Sequence, residues 1–334
     1  MIAGNCAPDL MWMGQSFNEF ADKRVFLDLS ERIRLSGIDL REYKPKVLDW
    51  YKRGEQLYSL PFGEDVSFLF YNRKLFREAG IPFPKDDWEF SEFLEAVQKL
   101  TRRDKSGRVT CYGFRGQLEP GTFGASPLHP TDGRVNCNTP EMEEYFRINL
   151  DLAYHWHVSP TPEEIQGLDA DTLVSFQQER IAMMWAATMN IAQALEVFQG
   201  MDFDMTLQPR VKAQSQWASS HAICISRDTK HPELAWKLFL KFQEREFQLA
   251  MSHRMLPART SLVEEALASL PERPANYRVL AKALAVMAPT PRVPHLQELL
   301  AVFNRFSGMV MARRLEPNEV EYFQLGILNK KDAK

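Results

Sequence analysis

Three tryptophans stand where an α/β chain presents side chains to a ligand. Trp12, Trp185 and Trp217 lie at predicted strand ends or beside polar loops, and open α/β sheets bind small molecules beyond the carboxyl ends of their strands. Forked polar side chains accompany them. Glu64 and Asp65 follow Gly63 at a strand end, and Gln15 follows Gly14. Gln117 and Glu119 come just after a predicted strand, Val109–Phe114. Arg254 and Arg259 flank Pro257, and His295 opens a helix after Pro294. These residue types suit noncovalent recognition: a planar ring stacks on an apolar face, and carboxylates, amides and guanidinium groups fork onto hydroxyls or a carboxylate. Each also has a plainer role. Glu64 and Asp65 serve equally as turn carboxylates, Ser16 beside Gln15 as a helix cap, one arginine as a solvated surface charge, and His295 as a solvated residue at a helix start. Core packing stays open for the three tryptophans. Trp50, Trp88, Trp156 and Trp236 lie on or beside helical apolar stripes and read as core.

Motifs for bond-making chemistry are absent from the sequence. It has no phosphate loop, no Gly-x-Ser-x-Gly and no His-Glu-x-x-His. His155 and His157 are two apart on a predicted helix and point to different faces, so they do not ligate one metal. Asp104-Lys105-Ser106-Gly107 lacks the carboxylates calcium requires. No catalytic residue, metal or cofactor is therefore expected. Cys6, Cys111, Cys137 and Cys224 form no Cys-x-x-Cys pair and read mostly as buried thiols.

The elements that position these residues alternate between strand and helix. Strands are predicted at Asp9–Gly14, at Val109–Phe114, near Arg180–Trp185 and at Ala222–Ser226, and Tyr58–Asp65 reads as a short strand and a turn that lead into an apolar strand over Phe68–Asn72. Helices are predicted at 40–53, from Trp88 through Leu100, from Thr139, over Asp171–Gln178, from His231, from about His295 and from Glu316. The helix from His231 is expected to bury Leu234, Ala235, Leu238, Phe239 and Phe242. Alternation predicts α/β layers. With 334 residues, 45% of them hydrophobic, the chain is long enough for two lobes with full cores. A net charge of −3 gives no basic face for nucleic acid. No apolar run is long enough to span a membrane, and the first residues carry no signal-peptide pattern in the chain as given.

Tyr58-Ser59-Leu60-Pro61-Phe62-Gly63-Glu64-Asp65, then Phe68 through Asn72 and Arg73-Lys74-Leu75-Phe76-Arg77-Glu78-Ala79-Gly80-Ile81-Pro82, resembles the signature of extracytoplasmic sugar-binding proteins that serve ABC transporters, the maltodextrin-binding-like solute-binding family. Four further fragments follow in family order. They are Gly4 to Trp12 with Pro8-Asp9, Glu179-Arg180-Ile181-Ala182-Met183-Met184-Trp185, Ser219 to Trp236, and Leu256-Pro257-Ala258-Arg259. Glu179 stands where the family usually has glycine, and Ser219-Ser220 where a Gly pair is common. The resemblance implies a two-lobed, type II periplasmic-binding-protein-like fold, with mixed sheets flanked by helices and a hinge of crossing strands. Lobe 1 would comprise 1–110 plus about 222–268, and lobe 2 would comprise 111–221 plus about 269–334. It implies a carbohydrate held in an interlobe cleft, delivery to ABC-transporter permease subunits, no enzymatic activity, a monomer, and a periplasmic or extracytoplasmic location. It places Asp65 and His295 among the ligand contacts.

The likeness begins inside a family motif. A strand-helix-strand-helix segment of roughly 60 residues is expected upstream, so Met1 reads as an internal start or a truncated reading frame. The strand at Leu10–Met13 would then have an unpaired edge. Two rival readings follow: a truncated remnant that binds nothing, and a glycan-active enzyme using Glu64, Asp65 or Glu119.

Overall fold

The computed structural model describes residues 7–129, 134–169, 171–272, 274–287 and 296–320. Six strands carry the argument: β1 (Leu10–Met13), β2 (Pro61–Asn72), β3 (Met183–Ala187), β4 (Phe203–Thr206), β5 (Ala218–Ile225) and β6 (Leu256–Pro257). The described chain forms two compact units. The first holds residues up to Asp65, Ala218–Leu270 and the start of the helix Leu296–Met311; the second holds Val66–Trp217, residues 271–289 and the chain from Glu298. The sequence reading drew its first boundary at 110, whereas the division falls at Asp65, inside β2. The cause is that β2 is one strand of twelve residues whose later part makes its own pairings.

In the first unit the strand path is β1–β5–β2–β6. β1 runs antiparallel to β5, with Leu10 opposite Ile225 and Trp12 opposite Ile223. β6 is antiparallel to β2, Leu256 facing Glu64. Phe62, Ile223 and Met255 form a core against which Leu10, Phe242, Phe247 and Met251 pack. The helix Pro232–Gln243 buries Ala235 and Phe239, as its periodicity predicts. Leu234 and Leu238, expected inside, are 67% and 47% exposed, because they lie on the helix face turned from that core. The segment 40–53, expected as one helix, breaks into three short turns: Leu40–Glu42, Pro45–Leu48 and Asp49–Tyr51. Pro45 lacks the N–H that a continuous helix needs.

In the second unit β3 and β4 both run antiparallel to β2, with Tyr71 opposite Met183 and Asn72 opposite Phe203. Every residue of β2 is buried, the charged Glu64 and Asp65 as well as the apolar run Phe68–Tyr71. Phe70, Phe176, Phe198 and Phe203 interlock around it. Asn72 ends the strand and starts the helix Arg73–Glu78, its side chain accepting from the Leu75 backbone N–H at 3.1 Å. Gly80, at φ +66°, takes the left-handed conformation that closes that helix. Val109–Phe114, expected as a crossing strand, yields only the short strand Val109–Cys111. It pairs with Arg102–Arg103 inside the second unit, so it is not a crossing; beyond it Tyr112 and Arg115 make isolated bridges to Ile181 and Met184.

Gly113 packs against the helix Phe90–Leu100. A Cβ there would lie 2.1 Å from the Val97 carbonyl oxygen, a backbone atom with little freedom to move. Gly113→Ala should therefore destabilise the protein by about 2 kcal/mol, read as a lower urea midpoint; an unchanged midpoint contradicts this packing. Cys111, Cys137 and Cys224 are free buried thiols, and burial pushes Cys111 and Cys137 up to about 12. Among the described residues no helix is long and apolar enough to cross a membrane, and no cluster of His, Cys, Asp and Glu could hold a metal ion.

Candidate functional site

Each unit assembles its own group of tryptophan and carboxylate. In the first, β1 alternates so that Met11 and Met13 turn inward and Trp12 outward. Trp12 remains 48% exposed. Its ring meets Phe62 edge-on, with centroids 4.8 Å apart, and its indole N–H donates to His221 Nδ1 at 3.0 Å. His221 lies two residues along β5 from Ile223, the register partner of Trp12, and so is its diagonal neighbour on the same face. His221 Nε2 lies 2.7 Å from Oδ2 of the buried Asp65. A solvent-facing indole, an imidazole and a buried carboxylate thus form one chain of hydrogen bonds.

Glu64 is also buried, and Lys44 donates to its Oε2 at 2.8 Å. Oε1 of Glu64 finds no partner among the described residues. Burial raises the Glu64 carboxyl above the usual range, opposed by Lys44. The native state therefore holds this proton more tightly than the unfolded chain does. Stability contributed by the protonated form is complete below the unfolded carboxylate range and is lost as pH rises through the folded one. Glu64→Gln, which keeps an acceptor for Lys44, should flatten this fall. Urea unfolding at about pH 4, 6 and 8 reads it, and an unaltered pH slope in the variant contradicts it.

In the second unit Glu119 organises the group. Its Oε1 accepts from the Trp185 indole N–H at 2.8 Å, and its Oε2 accepts from the Trp217 backbone N–H. Burial drives the Glu119 carboxyl upward, against the donors Ser67, Trp185 and Trp217. The Glu119 backbone N–H donates to Gln208 Oε1 at 2.9 Å. The Trp185 and Trp217 rings stand 6.4 Å apart, tilted by 60°, and both keep part of their surface exposed.

The remaining predicted residues fall outside these two groups. Gln117 is exposed and accepts from the Tyr145 hydroxyl at 2.9 Å. Gln15 accepts from the Gln297 amide at 3.3 Å. Arg254 is exposed. The Arg259 side chain donates to Glu42 at 2.9 Å, and its backbone N–H donates to Gln248. His295 lies outside the described residues. Sequence reasoning missed His221, Lys44 and Ser67. His221 could have been found as the one basic side chain in an otherwise small or apolar strand, Ala218–Ile225; Lys44 and Ser67 carry no such signal.

The profile of bacterial extracellular solute-binding proteins matches residues 1–243. The chain belongs to that family. A binding protein of Brucella abortus is 22% identical over 294 residues, covering 83% of this chain and 67% of the relative. Among solved structures, an ABC substrate-binding protein from Listeria monocytogenes in complex with cycloalternan superposes with a TM-score of 0.83 at 19% identity. That superposition covers 99% of this chain and 87% of the other. An ABC-transporter solute-binding protein from Thermotoga lettingae bound with α-D-tagatose gives a TM-score of 0.79 at 19% identity, covering 97% and 85%. These structures share the α/β, two-lobed binding-protein fold that the sequence led us to expect.

Proposed function

We propose that this solute-binding protein captures a carbohydrate and presents it to an ABC transporter outside the cytoplasm. One observation carries the reading: in each unit a partly exposed tryptophan has its indole N–H fixed by an acceptor, Trp12 by His221 and Trp185 by Glu119. An indole held by its edge offers a pre-oriented face to the apolar side of a sugar ring, and rigid placement reduces the ordering that binding must impose. The sugars named for the solved relatives, cycloalternan and α-D-tagatose, support the same ligand class. We also take Gln15, Glu64, Gln117, Arg254, Arg259 and His295 as secondary candidates for ligand contact.

We read the protein as a non-enzyme. Asp65 is engaged by His221, Glu64 by Lys44, and Glu119 by Trp185 and Trp217, arrangements that suit holding rather than proton transfer to a substrate. We propose a monomer that meets permease subunits and no nucleic acid. A thermal-shift screen against cycloalternan, tagatose, maltose and mannobiose tests the ligand class. Ligand at about 100 times its Kd should add about 2.7 kcal/mol, a rise of a few degrees for a chain of this size. A cooperative transition unmoved by any of them contradicts the proposal.

A further inference from the structure

We infer that His221 is a positioning residue that holds the Trp12 ring only while its imidazole is neutral, and releases that ring on protonation. The tautomer follows from chemistry. An indole N–H only donates, so His221 Nδ1, 3.0 Å from Trp12 Nε1, must be the acceptor. The ring proton then sits on Nε2 and donates to Asp65 Oδ2 at 2.7 Å. A second proton would enter at Nδ1, the nitrogen that already faces a donor. The resulting imidazolium keeps its bond to Asp65, now charge-assisted, and can no longer accept from Trp12.

Trp12 has no other side-chain hydrogen bond among the described residues. Once released it is held by its edge contact with Phe62, and with 48% of its surface in solvent it has room to turn. The titratable groups around His221 are Asp65 on β2, bonded directly, the Glu64–Lys44 pair at the preceding residue of β2, and Tyr51, whose hydroxyl donates to Ser220 beside it. β1 contributes Trp12 itself, and a Cβ added at Gly14 beyond the strand would come within 3.7 Å of His221 Nδ1. Nδ1 faces the Trp12 indole N–H at 3.0 Å, so a proton on Nδ1 and the Trp12 hydrogen bond exclude each other.

The consequence for ligand, weaker binding at low pH, rests on the carbohydrate reading; the lock itself does not. The test therefore begins without sugar. The full chain is labelled with ¹⁵N at its indoles, and the Trp12 resonance is identified by its loss in Trp12→Phe. That resonance is followed from about pH 8 to about pH 5, where imidazoles change charge. A single-proton shift of the Trp12 resonance is expected. His221→Gln places an amide oxygen toward Trp12 and an amide N–H toward Asp65, so it should hold the high-pH position throughout. His221→Phe should sit at the released position throughout. A wild-type resonance that ignores pH overturns the inference without any variant, and so does a shift that survives in His221→Gln. If the indole responds while the sugar panel is silent, the lock stands and the carbohydrate reading fails. If a sugar binds while the indole ignores pH, the lock fails and the carbohydrate reading stands.

Discussion

Glu119→Ala should lower the stability of the protein by about 3 kcal/mol, the largest effect of any single substitution considered for the site. The carboxylate serves several donors at once: the Trp185 indole, the Trp217 backbone N–H and the Ser67 hydroxyl. Truncation strands donors in surroundings dry enough to raise the carboxyl, and each stranded donor costs about 1–3 kcal/mol. Trp217 retains the Ser67 hydroxyl as a second acceptor at 3.0 Å, so the total stays near the lower sum. Glu119→Gln keeps one acceptor oxygen and turns the other position into a donor. It should recover part of the loss but not all. Urea unfolding of the two variants reads this order, and equal midpoints for wild type and Glu119→Ala contradict the assignment of Glu119 as the organiser of the second unit's group.

Trp12→Ala should weaken carbohydrate binding by about 30-fold, the equivalent of about 2 kcal/mol, while hardly moving the melting temperature. The two outcomes separate because Trp12 is 48% exposed and meets its neighbours at Phe62 and His221. Residues so placed contribute little to folding. Trp185→Ala should weaken binding by a similar factor but also destabilise, since its indole N–H satisfies Glu119. Calorimetric titration of both variants with a sugar that binds the wild type distinguishes them. Unchanged affinity in Trp12→Ala would remove it from the site.

Much of this was legible in the sequence, for reasons particular to each element. The later part of β2 and the helix after it announce themselves locally, by an apolar run from Phe68 and by Gly80 as the exit; the turn expected before that run is instead unbroken strand from Pro61 to Asn72. Trp12, Trp185 and Asp65 were picked out as strand-end residues, but each lies inside its strand, Asp65 well within the twelve residues of β2; Glu119 was picked out in the loop after a strand. The bonds among them were not legible, because Trp12 meets His221 and Trp185 meets Glu119 only through long-range strand register and loop packing. Leu234 and Leu238 misled because an amphipathic helix has an apolar stripe wider than the face it buries. Pro45 was present to break the helix expected at 40–53, but the apolar spacing of Val47, Leu48 and Trp50 outweighed it. Arg259 gave no sign that Glu42, far away in sequence, would neutralise it.

The central claim is that the protein binds carbohydrate, with Trp12 among the residues that meet it. Isothermal titration calorimetry of the full chain with cycloalternan, tagatose, maltose and mannobiose tests it most directly. The account predicts saturable binding of at least one of these sugars, with a negative heat-capacity change from burial of apolar surface on the tryptophans, and loss of most of that heat in Trp12→Ala. No saturable heat from any of the four, in protein that melts cooperatively, would contradict it.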